Sequence, residues 1–318
     1  MFYAEAHDLW PDNDPYSLPR QQWLIQQSID YDPTFGQGYL ELCYLQLLQC
    51  LWGVRSSAST LPGLQRWLHM GDALPTQAPG WAAIKAEAMS LLFWQPQTSD
   101  RLYGNWLAST LPPGLPRLSW ARHLIFTGRA GLALDCLQSQ AHQNLRQGWL
   151  LTSLAHAALG EIPMAQEAAL HQLRLNPALV GSQLFLAMLA ALRGESEAAT
   201  AWIEACGILE KPFQGSLALV AYALAQGRLR SRAQHLLDEA MTLIPASPDR
   251  VGAPGYWGLA ALALDRSADA IVLLKLSVRQ RCYSAPVLLA TPFLAPYAHT
   301  PAGHLFRSRM GRAFVSAP

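Results

Sequence analysis

What most constrains this chain of 318 residues is a pattern that recurs three times between residues 146 and 247. Ala165, Ala199 and Ala233 stand 34 residues apart. Gly160, Gly194 and Gly227 precede them by five, five and six residues, and Pro177, Pro212 and Pro245 follow by twelve, thirteen and twelve. A small residue repeated at a fixed interval suits the close crossing of two helices. Glycine opens the turn between them, and proline cannot continue the second helix. A period of this length is that of a helix-turn-helix unit, which buries its apolar face only by stacking on its neighbours. The spacing therefore predicts an all-α array with no sheet.

Trp149, Gly160, Ala165 and Pro177 form the fullest copy of the pattern; Gly194, Ala199 and Cys206 repeat it, as do Ala233, Ala240 and Pro245. In these residues the chain resembles the tetratricopeptide-repeat family. That resemblance implies helix-turn-helix repeats stacked as a right-handed superhelix, with the first helix of each repeat lining a concave surface. Equivalent positions then form rows: Leu150, Leu184 and Ala218; Leu154, Met188 and Tyr222; Ala157, Ala191 and Ala225. Leu150, Leu154, Leu184, Met188 and Tyr222 are accordingly the candidate partner-binding residues of the groove. The family's version that grips an acidic peptide terminus carries Lys, Arg and Asn there, and this chain carries none. The expected partner is a protein or peptide, presented as an apolar or amphipathic helix. An uncovered apolar row of this size is rare on a soluble protein, so residues 283–298, rich in proline and apolar side chains, are the nearest candidate to occlude it from within.

Outside the three regular repeats, residues 1–145 read as divergent helical repeats and residues 248–318 as a degenerate repeat with a capping segment, all in one array. Helices are expected from Ser17 to Ile29, with Ser17 in capping position, over 36–52, from Pro62 onward, over 81–94, and from a cap at Thr98 or Ser99 to about 109. One pair is expected within 115–141, another at Tyr256–Leu264 and Ala268–Val278, and a last basic helix at 301–314. LWPDNDPY and Pro112-Pro113-Gly114 read as breaks. The opening YAEAHDLW…DPYSL…IDYDPTFGQGYLEL and the closing RMGRAF resemble the repeat-bearing C-terminal half of HilA- and CadC-like winged-helix transcription activators. That implies a regulatory module in transcription; the group's winged helix has no counterpart in these residues, so direct nucleic-acid binding is not expected of them.

Composition excludes more than it assigns. With 23 basic and 22 acidic residues the net charge is +1, too small to draw the chain to nucleic acid or an anionic membrane by its overall field. Five scattered cysteines without a C-x-x-C suit buried, reduced thiols of a cytoplasmic protein. The start, MFYAEAHDLW, does not read as a signal peptide, and no stretch reaches the roughly 18 apolar residues of a membrane span. None of the nine histidines has zinc-ligand spacing with a cysteine or carboxylate, and phosphate-loop and nucleophile-elbow motifs are missing. No metal, cofactor or enzyme activity is therefore expected. Trp23, Trp67, Trp81, Trp94, Trp106, Trp120 and Trp149 fall at helical positions among apolar neighbours and are expected in the core. The alternative to an interaction scaffold is a small-molecule sensor with an aromatic pocket among the N-terminal helices.

Overall fold

Each expected helical pair has its counterpart in the computed structural model, which describes residues 2–8, 17–107, 115–138, 148–177, 179–209, 214–227, 229–246 and 252–314. Among these residues every regular element is helical. The N-terminal part comprises α1 (Phe2–Asp8), α2 (Leu18–Tyr31), α3 (Gly36–Leu51), α4 (Ser57–Asp72), α5 (Trp81–Leu91), α6 (Pro96–Leu107), α7 (Leu115–Phe126) and α8 (Ala130–Leu137). The regular repeats supply α9 (Gly148–Ala158), α10 (Ile162–Leu175), α11 (Val180–Leu192), α12 (Ser196–Ala205), α13 (Gln214–Ala225) and α14 (Arg230–Ala246). After them come α15 (Pro254–Ala263), α16 (Ser267–Arg279), α17 (Ser284–Ala290), a 3-10 helix (Pro292–Tyr297) and α18 (Pro301–Phe314).

From α3 to α16 the helices pack in sequential pairs, and the first helix of a pair also packs on the pair before it. The small residues sit where the period requires: Ala165, Ala199 and Ala233 are buried between paired helices. Gly160 and Gly194 make the turns in the left-handed region, at φ +79° and +76°, where a side chain would be strained. Gly227 differs. Its φ is not positive, and its role is close approach, since an added Cβ would lie 2.9 Å from Ser196 Cβ.

Several boundaries depart from the sequence reading for local reasons. Ser17 precedes α2, but its hydroxyl bonds the Gln21 side-chain amide at 3.1 Å and makes no backbone cap. Helix α4 starts at Ser57, not at Pro62. Ser56 Oγ accepts from the Ser59 amide and donates to the Ser59 hydroxyl, both at 3.1 Å, which sets the start early and leaves Pro62 inside the helix. Pro96 opens α6, where its missing amide hydrogen costs nothing; Ser99 is therefore interior, and its hydroxyl donates to the Ala86 carbonyl at 2.8 Å. Pro177 follows α10 as expected, whereas Pro245 lies in the last turn of α14. Pro212, LWPDNDPY and Pro112-Pro113-Gly114 lie outside the described residues. Trp81 is buried as expected, but Trp23 is 51% exposed, with the Phe2 ring edge-on to it at 6.2 Å.

The end of α3 meets the regular repeats. Trp52, just past α3, packs on Gly181 of α11 so closely that a Cβ there would lie 2.5 Å from the indole. At Gly215 of α13 an added Cβ would come within 2.2 Å of the Trp52 carbonyl oxygen. Glycine is what lets these two backbones touch.

Candidate functional site

Helices α9, α11 and α13 carry the predicted row positions of the regular repeats. Leu184 and Met188 of α11 and Tyr222 of α13 are buried to within a few per cent, and Leu150 and Leu154 of α9 are half-buried against the same core. The five predicted residues thus belong to one continuous apolar body. They do not all meet one another: Leu150 stands by Gly181, the residue that Trp52 covers, while Tyr222 lies further along.

What lies over Tyr222 is the chain's own C-terminal segment. The Phe293 ring sits edge-on to Tyr222 and to Phe185, with centroids at 6.1 and 5.9 Å. Tyr297 takes a hydrogen bond from the Gln226 side-chain amide. Upstream, the Gly255 amide donates to Ser284 Oγ at 3.1 Å, the Tyr283 ring meets Phe126 edge-on at 5.6 Å, and the Tyr283 amide donates to Ser57 Oγ at 3.3 Å. Residues 282–288 are all buried. The segment therefore runs from α4 and α7 of the irregular half to α11 and α13 of the regular repeats. Proline at 286, 292 and 296 limits it to a seven-residue helix and a 3-10 turn, because no longer helix tolerates that spacing.

Strained backbone gathers at the base of this segment. Arg281, at φ 49°, precedes it, and its guanidinium donates to the Phe93 carbonyl at 3.2 Å. Trp94 and Ala253 are also left-handed, both at φ 55°. Ordinary side chains hold that conformation only where the surroundings impose it. Cys282 and Cys50 are buried here, each with Ser57 as a hydrogen-bond partner, and burial pushes both thiols up, Cys50 to about 12.

Sequence reasoning gave no weight to a second, polar group between α5, α6 and α7. His123 is fully buried; its Nδ1 lies 2.7 Å from Ser90 Oγ, and its Nε2 is 2.9 Å from Asp100 Oδ1, which also accepts from Arg129 at 2.7 Å. Burial drives the imidazole pKa down to about 4, against the opposing pull of Asp100. Burial alone would raise the Asp100 carboxyl, but the hydrogen bonds from His123 and Arg129 hold it below its usual range. One turn away Arg122 pairs with Glu87, both inside the core. The order Ser90, His123, Asp100 is that of a hydrolase triad, yet Ser90 is buried within α5 and offers no nucleophile to solvent. The group is a hydrogen-bonded clasp between α5, α6 and α7. No signal in the sequence separates these residues from other polar ones until α5, α6 and α7 bring them together.

The described residues hold no cluster of three or more His, Cys, Asp or Glu able to bind a metal, and no helix among them is long and apolar enough to cross a membrane. The N-terminal aromatic residues pair with each other, Tyr3 with Phe35 at 4.9 Å, Tyr39 with Trp67 at 6.2 Å and Tyr103 with Trp120 at 4.7 Å. No known protein family matches the chain, and no curated protein matches it either.

Proposed function

We propose that the protein is an interaction scaffold whose binding groove, on α11, α13 and α15, is held shut by its own residues 283–297 and opens to a partner protein. The observation that carries this reading is the seating of Phe293 on Phe185 and Tyr222, because Tyr222 belongs to the row that the repeat pattern picks out for binding. A tethered segment competes with any partner at high local concentration and without the entropy cost of association. Strain at Arg281 and the short elements around Pro286, Pro292 and Pro296 suit a segment that can leave as a unit. The expectation of a role in transcription regulation rests on the sequence resemblance and adds no residue to this reading.

The test uses the full chain and its own thiols. Phe293→Ala removes a buried aromatic anchor, a change that costs about 3–5 kcal/mol where the site cannot collapse. Alkylation of Cys282, followed by mass spectrometry under native conditions, is expected to accelerate at least tenfold while helicity by circular dichroism is retained. Unchanged protection of Cys282 would refute the gate.

A further inference from the structure

The segment that fills the groove also shows what the groove recognises. We propose that the partner is an uncharged, proline-bearing segment that presents an aromatic ring from a short turn, together with a hydrogen-bond acceptor for the Tyr222 hydroxyl. This rests on the gated-groove reading above and adds the chemistry of the occupant.

Two observations define that chemistry. The first is the match between occupant and wall. From Ser284 to Thr300 the chain carries no Asp, Glu, Lys or Arg, and the residues its rings meet on the wall, Phe185 and Tyr222 at Phe293 and Gln226 at Tyr297, are uncharged too. A charged partner would lose its hydration there without compensation. The ring of Phe293 is delivered by the 3-10 turn between Pro292 and Pro296, not by a continuous helix. A continuous helix, apolar or amphipathic, as expected from sequence, presents a different shape, and an amphipathic one also a charged face.

The second is a fault in the fit. Tyr222 is completely buried, its ring touches Phe293, and its hydroxyl has no hydrogen-bond partner among the described residues. Burial, and after it the neighbouring Tyr297, hold the Tyr222 hydroxyl well away from ionisation. A buried hydroxyl left unpaired is a standing cost, which a partner offering a carbonyl or carboxamide oxygen removes. The internal segment is thus the right shape and an imperfect match, as a displaceable occupant must be.

Fluorescently labelled peptides added to the full chain test this. The probe is the 17-residue sequence of positions 284–300, SAPVLLATPFLAPYAHT, with two controls: the same peptide carrying Phe293→Ala, and a Leu/Glu/Lys amphipathic helix of equal length. The Phe293→Ala chain is expected to bind the probe at least tenfold tighter than the native chain does, and to bind neither control. Tyr222→Phe in an otherwise native chain removes the unpaired hydroxyl at constant shape. It is expected to slow Cys282 alkylation by about fivefold, the worth of relieving one unsatisfied buried group.

The outcomes separate the two claims. If Cys282 stays protected in the Phe293→Ala chain, the gated groove itself is wrong. If Cys282 opens but the probe fails to bind, or a control binds as well as the probe, the groove stands and the partner chemistry is overturned. Should Phe293→Ala unfold the chain, the Tyr222→Phe measurement decides alone: unchanged or faster alkylation overturns the proposal, and slower alkylation supports it.

Discussion

Acid should weaken this fold through one side chain, His123. Its imidazole is fully buried, and burial lowers its pKa to about 4, against about 6.5 in the unfolded chain. A group with a depressed folded-state pKa that is charged when protonated takes up its proton preferentially in the unfolded state. Its contribution is therefore intact above pH 6.5 and lost as the pH falls towards 4. With these two values the loss is about 2 kcal/mol at pH 5 and about 3 kcal/mol at pH 4. Asp100 adds nothing in that window; its lowered pKa contributes stability that disappears only at still lower pH. The assay is urea unfolding of the native chain and of His123→Gln at half-unit steps from pH 7.5 to 4.5. His123→Gln will be less stable at pH 7, because Ser90 and Asp100 lose an aligned partner. Its stability should fall less with acid, by close to one proton at pH 5. Parallel curves for the two proteins would refute the argument, and so would a native chain that gains stability between pH 6.5 and 5.

Other substitutions probe the packing. Glu87→Gln leaves the Arg122 guanidinium buried without its counter-charge and should cost about 3–5 kcal/mol in chemical denaturation; replacing both partners by apolar residues of similar volume should cost less. Ala199→Leu should overpack the α11–α12 crossing by about 1–3 kcal/mol, read by the same method, and no loss would mean that the helices do not meet there. Gly215→Ala drives a methyl group into the Trp52 carbonyl and should lower Tm measurably, whereas Trp23→Ser, at a half-exposed site, should change stability by no more than about 0.5 kcal/mol.

The repeat was legible because its signal is periodic. Three alanines at one spacing predicted three small buried positions, and Ala165, Ala199 and Ala233 are buried. Leu184, Met188 and Tyr222, picked out by the same period, are buried as well. The boundaries of α4 and α6 were not, since they depend on which of several serines finds a partner: Ser56 caps locally, while Ser99 bonds to Ala86 across a helix pair. The contact of Phe293 with Phe185 and Tyr222 joins positions 71 and more residues apart, and sequence patterning could say only that an apolar, proline-rich segment needed burial. The His123 clasp left no trace at all, because a polar side chain in the core differs from one at the surface only by partners that the fold supplies. Trp23 failed for a related reason: its position on α2 is helical, but helical spacing alone does not say which apolar side chains the fold covers.

Hydrogen exchange read by mass spectrometry, across a series of sub-denaturing urea concentrations, tests the movable segment most directly. Amides of residues 283–297 should exchange through an opening well below the free energy of global unfolding, while those of α11 and α13 exchange only when the whole chain unfolds. If the amides of 283–297 exchange only with the rest of the array, the segment is a permanent part of the core and the groove has no gate.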